Sequence, residues 1–248
     1  MATLLLRLAA PMQSWGDESK FNERLTRREP TKSGVIGMIA SAAGVPRDAD
    51  LTKYTSMRFG VRIDHEGTGV SEYDYQIVRP AFFQEKKPLM PSMNGNYIRS
   101  ENGELVVNDK DTILTRRYYL FDAVFLAGLE GDEFILREIA DALQHPMWPL
   151  YLGRRSCPPA GKVLLGIRET SLENALSGEP LQVPDNMVRQ KNIRMVIESK
   201  EIGTDTYLQK DEPYTFSKKR RRFGQRACRE VYLPVQREID HDPMAALN

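Results

Sequence analysis

The sequence predicts an α+β fold, and three observations carry that prediction. Short apolar or alternating segments of strand length recur along the chain. Two segments with helical caps and a helical apolar stripe stand among them. Their order is strand, helix, strand, strand, insertion, strand, helix, strand, which is close to βαββαβ, the ferredoxin-like or RRM-like plan.

Residues 3–9, TLLLRLA, are short and mostly apolar, as a buried strand should be. Arg7 interrupts the apolar run and no basic stretch precedes it, so the start reads as a strand and not as a signal peptide. A polar stretch with little periodicity follows, containing Pro11, Gly16 and Pro30. Loops of ~20 residues, as here, are usually functional or mobile. Residues 30–45, PTKSGVIGMIASAAGV, form the first helix, with Thr31 or Ser33 as its cap and Gly44 and Pro46 as its stop. Gly34 and Gly37 keep one side slim, which suits close approach to a sheet or another backbone.

Residues 56–64, SMRFGVRID, alternate strictly, as in a half-buried strand. VSEYDYQIV (70–78) places Tyr73, Tyr75 and Ile77 on one face and pairs with it as a hairpin across the turn HEGTG. Residues 80–112 hold three prolines and a second hairpin around Asn102-Gly103, and read as an insertion projecting from the core. RRYYLFDAVFLAGL (116–129) is one long buried strand. DEFILREIADALQ is the second helix and KVLLGI the next strand. The division expected is a core over residues 1–180, including the insertion 80–112, and a strand-rich, basic C-terminal part over 181–248 packed on it.

The bulk composition belongs to a soluble globular chain: 248 residues, 41% hydrophobic, 28% charged. No apolar run reaches the roughly 18 residues of a membrane span. Two cysteines 71 residues apart make neither a disulfide framework nor a zinc pattern, so a reduced, cytoplasmic setting is expected. Net charge is +1, yet seven Lys or Arg and no acid lie between Phe216 and Arg229. A near-neutral chain can still carry a basic face.

Site chemistry narrows by elimination. His65, His145 and His241 are isolated from one another, so no metal site is expected. There is no Gly-x-Ser-x-Gly elbow and no histidine near Cys157 in sequence, and both phosphate-loop patterns are absent. No cofactor and no catalytic residue is expected. Two features remain open between structural and anion-binding readings. The helix start TKSGVIG offers free N–H groups, Lys32 and Ser33, for capping or for a phosphate. The run KKRRRFGQR is either a solvated face or an RNA contact flanked by Tyr214, Phe216 and Phe223. In WPLYLGRRSCPP (148–159), read as a strand, Arg154 and Arg155 point to opposite faces, each a planar group suited to phosphate.

Four segments then stand out together: LRLAAPMQSWG (6–16), REPTKSGVIGMIASAAGV (28–45), TRRYYLFDAVFLAGLEG (115–131) and WPLYLGRRSCPPAG (148–161). In this order they resemble the CasD subunits of Cascade, the type I-E CRISPR RNA-guided surveillance complex, within the RAMP superfamily. The resemblance implies an RRM-like core with a β-hairpin thumb, for which 80–112 is suited. It implies binding of the 5′ handle of the crRNA, packing against the backbone subunit CasC, the large subunit CasA and other Cascade proteins, and contact with target DNA only through the complex. The RNA-binding candidates are Gln13, Ser14 and Trp15 in the first loop, Arg27 and Arg28 beyond it, Lys32 and Ser33, Arg116 and Arg117, Arg154 and Arg155, and the basic run Lys218, Lys219 and Arg220. Relatives in another subtype cut RNA, so the alternative is a metal-independent endoribonuclease that processes precursor crRNA. The first helix loop here offers Lys20 and Lys32 but no histidine or tyrosine, and an ordinary lysine, with pKa near ~10.4, is a poor base at neutral pH. A generic interaction protein without RNA would leave the acid-free basic run unexplained.

Overall fold

The computed structural model describes residues 1–16, 22–78, 98–99, 105–106, 113–188, 191–217 and 221–235. Strand β1 (Ala2–Ala9) leads into four two-residue strands, β2 (Met12–Gln13), β3 (Trp15–Gly16), β4 (Glu23–Arg24) and β5 (Thr26–Arg27). Helices α1 (Lys32–Ala42) and α2 (Thr52–Thr55) follow, then β6 (Arg58–His65), β7 (Gly69–Val78), the short pair β8 (Ile98–Arg99) and β9 (Leu105–Val106), and β10 (Ile113–Phe121). Next come β11 (Val124–Gly131), α3 (Glu133–Gln144), β12 (Leu164–Arg168) and α4 (Leu172–Gly178). Strands β13 (Asn192–Glu198), β14 (Thr206–Thr215) and β15 (Arg222–Pro234) complete the order.

The main sheet has seven strands in the order β12-β1-β11-β6-β13-β15-β14, and every neighbouring pair is antiparallel. The C-terminal strands therefore continue the sheet through the β6–β13 pairing. The alternation in β1 explains its place. Leu4, Leu6 and Leu8 enter the larger core with Val35, Ile36 and Ile39 of α1 and Leu136 and Ile139 of α3. Leu5 faces the other way, into a second cluster with Leu172 and Leu176 of α4. Each buried leucine stabilises the fold by roughly 2 kcal/mol, so covering both faces accounts for an apolar strand with almost no polar alternation.

Caps set the helix starts. The Thr31 hydroxyl accepts from Gly34 N at 3.1 Å, and the Asp132 carboxylate accepts from Phe134 N and Ile135 N.

Four sequence expectations change. The strict alternation of 56–64, which falls largely in β6, does not mean one solvated face. Phe59, Val61 and Ile63 enter the large core, while Arg62 and Asp64 are buried on the other side as an ion pair, Nε to Oδ1 2.6 Å. α4 covers that side, and Leu172 and Leu176 pack into the space left by the cross-strand neighbours Gly60 and Gly128. The hairpin expected between 56–64 and 70–78 does not form, because β7 pairs with β10 instead. The single strand expected over 116–129 is two strands. Asp122 takes φ 55°, which Asp tolerates better than most residues, and the chain turns there from the β7–β10 ribbon into the main sheet. Finally, 148–159 contains no strand. The second hairpin is present as the antiparallel β8–β9 pair, and the rest of the insertion 80–112 up to β10 lies outside the described residues. Among the described residues, no helix is long and apolar enough to cross a membrane.

Candidate nucleic-acid interface

The ribbon of β7 and β10 carries the candidate site. On its other edge β10 pairs with β2 at Leu120 and Phe121 and, in parallel, with β4, so that Arg116 stands opposite Glu23 and Arg117 opposite Arg24. Residues alternate across a strand, which makes two faces of different chemistry.

One face carries Arg24, Arg117 and Tyr119, with Asp74 of β7 in register with Arg117. The loop 152–157 closes over it. Leu152 N donates to Cys157 O at 2.8 Å, Cys157 N donates to Arg154 O at 2.9 Å, and Ser14 N donates to Leu152 O at 3.2 Å. Gly153 has φ +87° and lies against the first loop so closely that an added Cβ would stand 1.6 Å from Ser14 O. Only glycine fits both conditions. The loop turns Arg154 inward. Its guanidinium stacks 4.6 Å from the Tyr119 ring centre, Nη1 donates to Tyr118 O at 3.1 Å, and Nη2 donates to Arg24 O at 2.8 Å. Arg155 is exposed beside it. The difference between the two arginines thus comes from a turn and not from a pleated strand.

The opposite face was missed as a site in the sequence, although the alternation placed Tyr73, Tyr75 and Ile77 together. Tyr73 and Tyr75 meet edge to face with centres 4.9 Å apart, and their hydroxyls lie 3.0 Å apart. Tyr73 also contacts Tyr118 at 5.3 Å. Arg116 sits 5.8 Å and 5.7 Å from the Tyr73 and Tyr75 ring centres and 3.5 Å from Glu23. The hydroxyl bond holds Tyr75 below the ordinary phenol value, helped by the Arg116 charge, and pushes Tyr73 above it.

Other candidates lie inside the fold. Gln13 is fully buried, with Nε2 donating to Leu8 O and Ala123 O and Oε1 accepting from Trp15 Nε1 at 3.1 Å. Trp15 is buried against Gly34, where an added Cβ would meet its ring at 2.8 Å. The slim helix face therefore serves an aromatic ring, not a second backbone. Ser14 is buried and Oγ donates to Tyr118 O. Lys32 has no exposed side-chain surface, and Nζ donates to Thr55 O at 2.9 Å and pairs with Glu198 at 3.0 Å and Glu212 at 3.4 Å. The helix start already holds an anion, the Asp211 carboxylate, which accepts from Lys32 N at 2.8 Å and from Arg226 Nε at 2.7 Å. Ser33 is half-buried, with Oγ 3.4 Å from Thr31 Oγ1. These side chains shape the first loop and α1 from within, because burying a charge requires the partners they have.

The basic run is likewise divided. Arg226 is buried with Asp211, Arg229 reaches Glu173 at 3.4 Å, and Phe216 packs on the core at Gly37. Arg221 and Arg222 are exposed, and Lys218, Lys219 and Arg220 lie outside the described residues. Arg28 is exposed and Arg27 half-buried, the latter in register with Trp15.

The model of the CRISPR-associated protein (Cas_Cas5) family matches residues 3–229 of this chain. The chain belongs to that family. This Cas5 chain is 30% identical over 182 residues to the CRISPR system Cascade subunit CasD of Escherichia coli strain K12, covering 68% of this chain and 72% of the relative. Its fold is similar to a chain of a solved CRISPR RNA-guided surveillance complex, with TM-score 0.73, 35% identity, and coverage of 94% of this chain and 90% of the other. A second solved structure, a Cas protein, matches with TM-score 0.66 and 33% identity over 94% and 95% of the two chains. The Cas5 chain thus shares its mixed fold of helices and antiparallel sheets with solved CRISPR-associated proteins.

Proposed function

We propose that this Cas5 chain is a non-catalytic, crRNA-binding subunit of a type I-E Cascade effector in the cytoplasm, holding the 5′ handle and packing against the CasC backbone and CasA large subunits. One observation carries the reading: Arg24 and Arg117 share one face of the ribbon, with Arg154 anchored on it and Arg155 exposed beside it. These guanidinium groups, remote in sequence, gather on a face that also carries Asp74 in register with Arg117, and planar guanidinium groups suit phosphate.

The fold supports the same reading. Strands β12-β1-β11-β6, with α1 and α3 packed on the Leu4, Leu6 and Leu8 face, follow the order and direction of a ferredoxin-like βαββαβ core. In that view 1–180 is the core with its thumb at 80–112, and 181–248 extends the sheet. Arg27, Arg28 and Arg116 add phosphate contacts, the run Lys218, Lys219 and Arg220 is a further candidate outside the described residues, and Gln13, Ser14, Trp15, Lys32 and Ser33 hold the loops that form the cradle. The nuclease alternative finds no support at α1, where the donors on Lys32 Nζ point to internal oxygens.

The test is purification of the tagged chain with its neighbouring subunits. A uniform small RNA should come with it, and precursor RNA incubated with excess protein and EDTA should stay intact. Absence of RNA from the assembled particle would overturn the binding role, and handle-length products would overturn the non-catalytic one.

A further inference from the structure

The Tyr73–Tyr75–Tyr118 face remains unassigned by the cationic cradle. Tyr73 is 42% and Tyr75 51% exposed, in a chain whose other ribbon tyrosine, Tyr119, is 3% exposed beneath Arg154. Exposed aromatic side chains in contact with one another, with a guanidinium held near two of the rings, have the composition of a platform for unpaired bases. Every base offers a π-face, so such a platform needs no hydrogen-bond code. Arg116, 3.5 Å from Glu23, carries the positive charge of this face and is the sequence neighbour of Arg117 in the cradle. The two arginines point to opposite faces of the ribbon, so an RNA strand that contacts both would pass around the β4 edge.

We propose that Tyr73 and Tyr75, backed by Tyr118 and Arg116, stack one or two unpaired nucleobases of the RNA whose phosphates lie on the Arg24 and Arg117 face. This rests on the crRNA-binding reading and deepens it, assigning base contact to one side of the ribbon and phosphate contact to the other. The aliphatic step of Leu114 and Ile77, paired in register just beyond the tyrosines, bounds the platform.

The experiment uses the full chain and guide-like RNAs carrying 2-aminopurine at successive handle positions. In the wild type, fluorescence at one or two positions should be quenched on binding. Tyr75→Leu and Tyr73→Leu should restore the fluorescence and weaken binding about tenfold each, while Tyr75→Phe, which keeps the ring, should behave as the wild type. The slope of affinity against salt should be unchanged by the leucine variants, since no phosphate contact is lost. If the wild type binds RNA and the leucine variants bind equally well with the same quenching, the platform is overturned and the cradle stands. If the leucine variants bind RNA normally but lose a co-purifying protein subunit, the face is a protein dock and the proposal fails. If the wild type binds no RNA even at low salt, both the cradle and the platform fail.

Discussion

The Arg154 guanidinium lies over Tyr119, its carbon 4.6 Å from the ring centre. With its two hydrogen bonds to Tyr118 O and Arg24 O, that contact ties the 152–157 loop, β10 and β4 into one unit. The cationic cradle depends on this junction, so the two adjacent arginines should separate structural from binding effects. Arg154→Ala removes the stack and both bonds, and should lower stability by about 2 kcal/mol. Arg155→Ala should stay within about 0.5 kcal/mol of the wild type and weaken RNA binding instead. Denaturant unfolding beside an electrophoretic shift reads both. Equal stability losses would show that Arg154 is not the clamp.

Lys32 offers the reverse contrast. Its Nζ sits between Glu198 and Glu212 at the start of α1. Lys32→Met leaves two carboxylates facing each other without their cation, and should lower stability by about 3 kcal/mol. For a chain of this size that is a fall of roughly 6–12 °C in Tm. RNA affinity of the folded protein should hold. A large loss of affinity at unchanged Tm would place Lys32 at the RNA after all.

Acid should act through Glu173. The Arg58 hydrogen bond holds its carboxyl below the ordinary 4.5, with Nη2 2.7 Å from Oε1. A lowered folded pKa means stability is fully present above the unfolded value and is lost as pH falls through the folded one. Unfolding free energy should drop below pH ~4.5, and the drop should be shallower in Glu173→Gln. Parallel acid profiles for the two proteins would contradict the pairing.

Both cysteines are free and buried. Burial raises the Cys157 thiol and pushes Cys228 up to about 12. The thiolate is the reactive form, so a chromogenic disulfide reagent should leave the native chain unlabelled at pH 8 and react with two thiols once it is unfolded. Rapid labelling of either thiol in the native protein would show that its site opens.

How much of this was legible in the sequence follows from the range of the interactions involved. The Thr31 and Asp132 caps, β1 and both main helices are local, set by periodicity and capping, and they read directly. The break at Asp122 did not, because Phe121 and Ala123–Phe125 are apolar on both sides of it and only the backbone conformation marks the turn. Arg62 looked solvated because its partner Asp64 is two residues away, while the cover from α4 arrives from residue 172 onward. At the site, Arg117, Arg154 and Arg155 were nameable from motif and composition, but Arg24 was not, since its place depends on a parallel two-residue pairing with β10. Lys32 carried the same charge signal as these arginines. Only the distant acids Glu198, Asp211 and Glu212 reveal that it points inward.

The most direct test of the account is the slope of log affinity against log salt for a guide-like RNA, measured for the wild type and for the combined Arg24→Ala, Arg117→Ala and Arg155→Ala variant. Each phosphate contact on a single strand contributes roughly 0.7 to that slope. The slope should be shallower by about 2 in the variant, with its fold intact because Arg154 and Tyr119 are untouched. Equal slopes and equal affinities would contradict the claim that these residues form the RNA-holding surface.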